Sequence, residues 1–132
     1  MDTHNHQSNQ KILPVLQHIK STYIVWYGYY QTLPKLHRHS LGQRIDCLFV
    51  EAIEAISVAS FLQKEEKLPW IKVAMRKVDT IKILLMVLWE VKSIDNKKYG
   101  LLSAHIEEVG KMLGGWNGHI SKQNSPPKGR EK

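Results

Sequence analysis

The stretch IKVAMRKVDTIKILLMVLWE, residues 71–90, decides how this chain folds. Ile71, Ala74, Val78, Ile81, Leu85 and Leu88 recur at steps of three and four. A mean step near 3.5 keeps one seam of an α-helix facing its neighbours along a bundle. The apolar surface is wider than that seam. Ile83, Leu84, Val87, Val91 and Ile94 fall outside its arc, and from Ile83 to Trp89 the helix is apolar nearly all round. Such a segment is buried on more than one side. A lone four-helix bundle leaves one side open, so this helix predicts a homo-oligomer.

Three further segments carry the same spacing. The first reads Ile12, Leu16, Ile19, Tyr23, Trp26, Tyr30, Leu33. The second reads Leu41, Ile45, Leu48, Ala52, Ala55, Ala59, Leu62, and the last Tyr99, Leu102, Ile106, Val109, Leu113, Trp116, Ile120. Four such rods, each roughly 35–40 Å long, joined by short connections, predict an all-α, antiparallel up-down four-helix bundle. The boundaries carry their own chemistry. Pro14 sits where a helix can start, and Pro34 ends the first helix at Leu33. Ser40 with Gln43 fits a capping box for the second. Leu68-Pro69 fits the start of the third, proline being tolerated in a first turn. Asp95-Asn96 separates the third from the fourth. The expected organisation is a flexible polar leader over 1–10, the bundle over 11–121, and a flexible basic tail over 122–132, which holds Pro126, Pro127 and Gly129 and no hydrophobic residue.

Composition narrows the class. The 132 residues suit one domain. At 42% hydrophobic the chain carries enough apolar material to build a core rather than stay disordered. One cysteine makes no internal disulfide and no four-Cys or Cys2His2 zinc site. No run approaches the ~20 apolar residues of a membrane span, and a cytoplasmic location without membrane contact is the expectation. Nineteen Lys and Arg against 12 Asp and Glu give a net charge of +7. Between Thr3 and Arg44 there is no acidic residue at all. Such a surface attracts polyanions through a long-range, salt-sensitive field.

A search for catalytic groups finds none. Cys47 lies beside the seam residue Leu48 with no base in its pattern, and reads as packing. His37 and His39, like His4 and His6, make His-x-His pairs without the further ligands a zinc site needs. Glu51 with Glu54, and Glu107 with Glu108, read as solvated faces. Gly114-Gly115 lies late in a helix rather than after a strand, unlike a phosphate-binding loop. The expectation is a non-enzyme with no metal and no cofactor. Tyr23, Trp26 and Tyr30 are seam residues, whereas Tyr27 and Tyr29 lie off the seam and are free to stack on bases or meet a partner protein. Gly28 and Gly114-Gly115 are costly in a helix and read as close helix or subunit contacts.

Three strings resemble one family. Leu33-Pro34-Lys35 with Arg38, followed by Leu41-Gly42-Gln43-Arg44-Ile45, is similar to the first interhelical turn of the accessory variability determinant (Avd) proteins. Asp79 through Leu84-Leu85, then Leu88-Trp89-Glu90-Val91-Lys92, resembles their third helix. Ile106-Glu107-Glu108-Val109-Gly110-Lys111-Met112-Leu113-Gly114-Gly115-Trp116 resembles their fourth and is the most specific of the three. The resemblance implies a homopentameric barrel of four-helix bundles with no activity of its own. Such a protein serves a diversity-generating retroelement, binding its reverse transcriptase and template RNA, or DNA, to support mutagenic cDNA synthesis and retrohoming.

Residue by residue, the resemblance and the charge point to nucleic-acid contacts at Lys82, Lys35, Arg38, Arg44, Arg76 and Lys77. Family members often place basic residues at the positions of Lys82 and Met86; Lys82 keeps the charge and Met86 does not. Two alternatives share the bundle fold: a protein of the ribosomal-RNA intervening-sequence type, and a purely structural scaffold whose charge is incidental.

Overall fold

The computed structural model describes the backbone of residues 3–124, with side chains from 14 to 122. Four long helices carry the fold: α1 (Thr3–Gln31), α3 (Gln43–Ser60), α4 (Lys64–Glu90) and α5 (Asn96–Asn124). A one-turn helix α2 (Lys35–His37) and a π-helical turn (Arg38–Gly42) join α1 to α3. No strand occurs among the described residues. Helix α3 packs on α1 and α4, and α5 packs on α4 and α1, so the four close a ring around one core.

The seams form that core. Ile71, Ala74, Val78, Ile81, Leu85 and Leu88 are all fully buried, as are Leu102, Val109 and Leu113 on α5. Ile45, Leu48, Ala52, Ala55 and Ala59 are buried on α3, joined by Phe49 and Ile56. On α1 the buried set is Val15, Ile19, Thr22 and Trp26, with Leu33 buried just past its end. Thr22 takes a seam position without an unmet polar group because its hydroxyl donates to the His18 carbonyl one turn back (2.8 Å). Trp26 donates its indole N–H to Asp46 Oδ1 (3.3 Å) and lies between Tyr30 and Phe49, with ring centroids 5.5 and 6.1 Å away.

Several boundaries differ from expectation. Helix α1 runs back through Pro14 to Thr3 and α5 runs on to Asn124, where a leader to residue 10 and a tail from Lys122 are expected; residues 1–2 and 125–132 lie outside the described residues, as does the side chain of Ile12. Helix α4 begins at Lys64, five residues before Pro69, because Gln63 and Glu66 form a capping box there. Ser40 caps nothing. Its hydroxyl donates to the Leu36 carbonyl (2.9 Å), and the chain turns through a π-helical loop. Gly42 permits that loop. A Cβ there would sit 2.8 Å from Leu33 Cδ1 and 3.0 Å from both the His37 carbonyl oxygen and Tyr30 Cε1.

The α4–α5 turn is a Schellman closure. Ser93 N–H donates to the Leu88 carbonyl (2.9 Å) and Lys92 N–H to that of Trp89 (3.0 Å), with Lys92 itself at φ 66°. Asp95 then caps α5, accepting from Lys98 N–H (2.8 Å).

Three substitutions check this reading by chemical denaturation. Gly42→Ala should cost about 1–3 kcal/mol through overpacking, although alanine is the better helix former. Lys92→Gly should stabilise by about 1 kcal/mol, the cost of a left-handed conformation at a residue with a Cβ. Trp116→Ala should cost about 3–5 kcal/mol, since that ring is 2% exposed.

Candidate nucleic-acid interface

The six expected contact residues occupy three places. Lys35 and Arg38 stand in the α1–α3 connection, Arg44 on α3, and Arg76, Lys77 and Lys82 along α4. Arg44 and Lys77 converge on one carboxylate: Glu51 Oε1 lies 3.1 Å from Lys77 Nζ and 4.0 Å from Arg44 Nη1. Lys82 is similarly held, 3.5 Å from Glu107 and 3.7 Å from Asp79. Its ammonium lies over Gly110, where a Cβ would come within 2.9 Å of it. Arg38 donates from Nη2 to the Leu33 carbonyl (2.9 Å) and so closes the end of α1. Only Lys35 and Arg76 of the six are exposed and unpaired among the described residues. Part-exposed ion pairs are worth little to stability, but they offset the charge that a phosphate would meet.

Other expectations change as well. Glu51 and Glu107 are ion-pair partners rather than bare solvated groups. Cys47 is exposed, not packed: one turn of helix beyond Arg44 it faces outward while Leu48 turns in. Gly28, Gly114 and Gly115 meet no atom within 4 Å of a built Cβ, so none marks a close helix crossing within the chain. No three His, Cys, Asp or Glu of the described residues stand close enough to hold a metal ion. None of the helices is long and apolar enough to cross a membrane among the described residues. Around the over-apolar half of α4, Ile83, Met86, Trp89 and Val91 are exposed, while Ile94 turns into the core.

A second basic cluster was not expected. His37 Nδ1 meets Ser93 Oγ, which draws the Lys35–Gly42 connection against the α4–α5 turn. At that end Lys92, Lys97 and Lys98 join Lys35 and Arg38. Lys98 Nζ stands 5.2 Å from the centre of the Tyr29 ring. Trp89 lies flat on Tyr99, with centroids 4.7 Å apart and planes 8° from parallel, and donates its indole N–H to Asn96 Oδ1 (2.7 Å). A concavity of about 550 Å³ opens at this end between Tyr29 and the start of α5, lined by Tyr29, Asp95, Asn96, Lys97, Lys98 and Leu101 among others. The sequence signal was present in Trp89, Lys92, Lys97, Lys98 and Tyr99 crowded around one turn.

Comparison with known families decides the relationship. A family model described as bAvd-like matches residues 8–120, most of the chain. The chain belongs to the bAvd-like family. That places it among the accessory variability determinant proteins of diversity-generating retroelements, and four long helices without strands agree with this family's bundle. No curated protein and no solved structure matches the chain.

Within this bAvd-like bundle one titrating group reports on the α1–α3 joint. Burial pushes the Tyr23 hydroxyl up from 10.0 to about 12, and its hydrogen bond to the negative Asp46 carboxylate adds to the rise. The folded protein therefore holds this proton more tightly than the unfolded chain. The stabilisation is complete below pH 10 and is lost as pH rises towards about 12. Ultraviolet titration should show a tyrosinate component at about pH 12 that vanishes in Tyr23→Phe. An unchanged profile in that variant would assign the component elsewhere.

Proposed function

We propose that this chain is the non-catalytic accessory protein of a diversity-generating retroelement, acting in the cytoplasm as a homopentamer of antiparallel up-down bundles. It binds the element's reverse transcriptase and template RNA and supports mutagenic cDNA synthesis and retrohoming. The observation that carries this reading is the bAvd-like match over residues 8–120. The acid-free stretch from Thr3 to Arg44 fits a polyanion partner. The exposed apolar side chains Ile83, Met86 and Val91 fit a surface that further copies or the polymerase cover.

The nucleic-acid contacts in this reading are Lys35, Arg38, Arg44, Arg76, Lys77 and Lys82. They divide by what holds them. Lys35 and Arg76 are free to meet phosphate directly. Arg44, Lys77 and Lys82 must first exchange a carboxylate for it, so they contribute less per contact.

The test is capture of the neighbouring reverse transcriptase, with and without template RNA, by protein sized by light scattering. A pentamer that retains both supports the reading; a monomer that retains neither contradicts it. Lys35→Glu and Arg76→Glu should each weaken RNA capture and flatten its salt dependence, with melting curves unchanged. Variants that bind RNA as the parent does would remove those two residues from the interface.

A further inference from the structure

We infer that the end of the bundle built by Trp89, Tyr99 and the Lys92–Lys98 turn is a binding site for single-stranded RNA, with Trp89 as the platform on which an unpaired base stacks. The inference rests on the RNA-binding reading above and adds the strand form, the place and the contact chemistry. Every base has a π-face, so single strands are held by aromatic rings set among cations that follow the phosphates. This end holds both parts.

The platform is preorganised. Trp89 is 38% exposed although its ring lies flat on Tyr99, so apolar indole surface remains open to solvent. Its one polar atom is already satisfied by Asn96. The ring is thereby locked in orientation and can accept a stacking partner without giving up a hydrogen bond. The Schellman closure at Lys92 fixes the turn that follows it. An exposed tryptophan held at both its face and its edge is not explained by core packing, for the core lies on the Leu85 and Leu88 side of α4.

The cations stand at the same end of the bundle. Lys92, Lys97 and Lys98 stand within nine residues of Trp89 in sequence, and Tyr29 holds the Lys98 ammonium by its ring face. Lys35 and Arg38 arrive from the other connection, through the His37–Ser93 contact. The nearby carboxylates are Glu90 and Asp95, and Asp95 is committed to capping Lys98 N–H. A concavity of about 550 Å³ lies at the same end, lined by Tyr29, Asp95, Asn96, Lys97, Lys98, Gly100 and Leu101, and Asn96 is its link to the Trp89 indole. Stacking demands a base already free of its partner strand, which is why the site favours single strands over a duplex.

The full chain is titrated against a fluorescein-labelled 12-nucleotide RNA of mixed sequence without internal pairing, and against the same strand in a blunt duplex. The single strand should bind more tightly. Trp89→Leu should weaken it about tenfold and leave the duplex unchanged, and Trp89→Phe should restore most of the loss. Should Trp89→Leu fail to fold, Lys97→Ser/Lys98→Ser, at surface positions, should lower the slope of log affinity on log salt by about 1.4, some 0.7 for each lost phosphate contact. Lys64→Ala should match the parent. Equal binding of strand and duplex, or variants as tight as the parent, overturns this site while RNA binding stands. Variants that keep RNA but lose the reverse transcriptase also overturn it and make this end a protein contact. A parent chain that binds neither RNA form overturns both readings.

Discussion

The hydrogen bond from the Trp26 indole to Asp46 holds the account together. Trp26 is fully buried, and a buried indole N–H without an acceptor is costly. Asp46 supplies that acceptor across the α1–α3 boundary, and its negative charge also helps hold the Tyr23 proton. With α1 fixed against α3 at this point, Tyr30 stacks on Trp26 and presses towards Gly42. The residue at 42 can then have no Cβ, and the connection must fold tightly enough for His37 to reach Ser93. The same register of α1 sets Tyr29 beneath Lys98. A core constraint is thus passed, one contact at a time, to the charged end of the bundle.

The bundle was legible because its physics is periodic. Ile71 through Leu88 and Leu102 through Ile120 announce their buried faces by spacing alone, and those faces are buried as read. Phe49 and Ile56 escaped a one-residue-per-turn seam because α3 lies in a groove and buries a second residue in some turns. Thr22 escaped because its polar group is met within its own helix. The π-helical turn was not legible: Gly42 is forced by Leu33, Tyr30 and the His37 carbonyl, contacts that exist only once the helices have met. The same holds for Gly28, Gly114 and Gly115, whose surroundings are open in the folded chain.

The charged residues show why a site is harder to read than a seam. Charge is visible in sequence, but its availability is not. Lys82 and Lys77 look equivalent to Arg76 in the stretch 71–90, yet Glu107 and Glu51 hold the first two and no carboxylate among the described residues pairs with the third. Conversely, Lys92, Lys97 and Lys98 look like ordinary solvated residues around a turn. They become a cluster because Trp89 stacks on Tyr99 and His37 reaches Ser93. Non-local contacts decide which cations are spent within the bundle and which remain open to a ligand.

The central claim is that the free cations and the open indole at this end meet RNA in the working complex. Ultraviolet crosslinking of the assembled protein, reverse transcriptase and template RNA, read by peptide mass spectrometry, tests it most directly. The account predicts nucleotide adducts on the peptides carrying Trp89, Tyr99 and Tyr29. Adducts confined to peptides away from this end, or none on this chain while the polymerase is labelled, would contradict it.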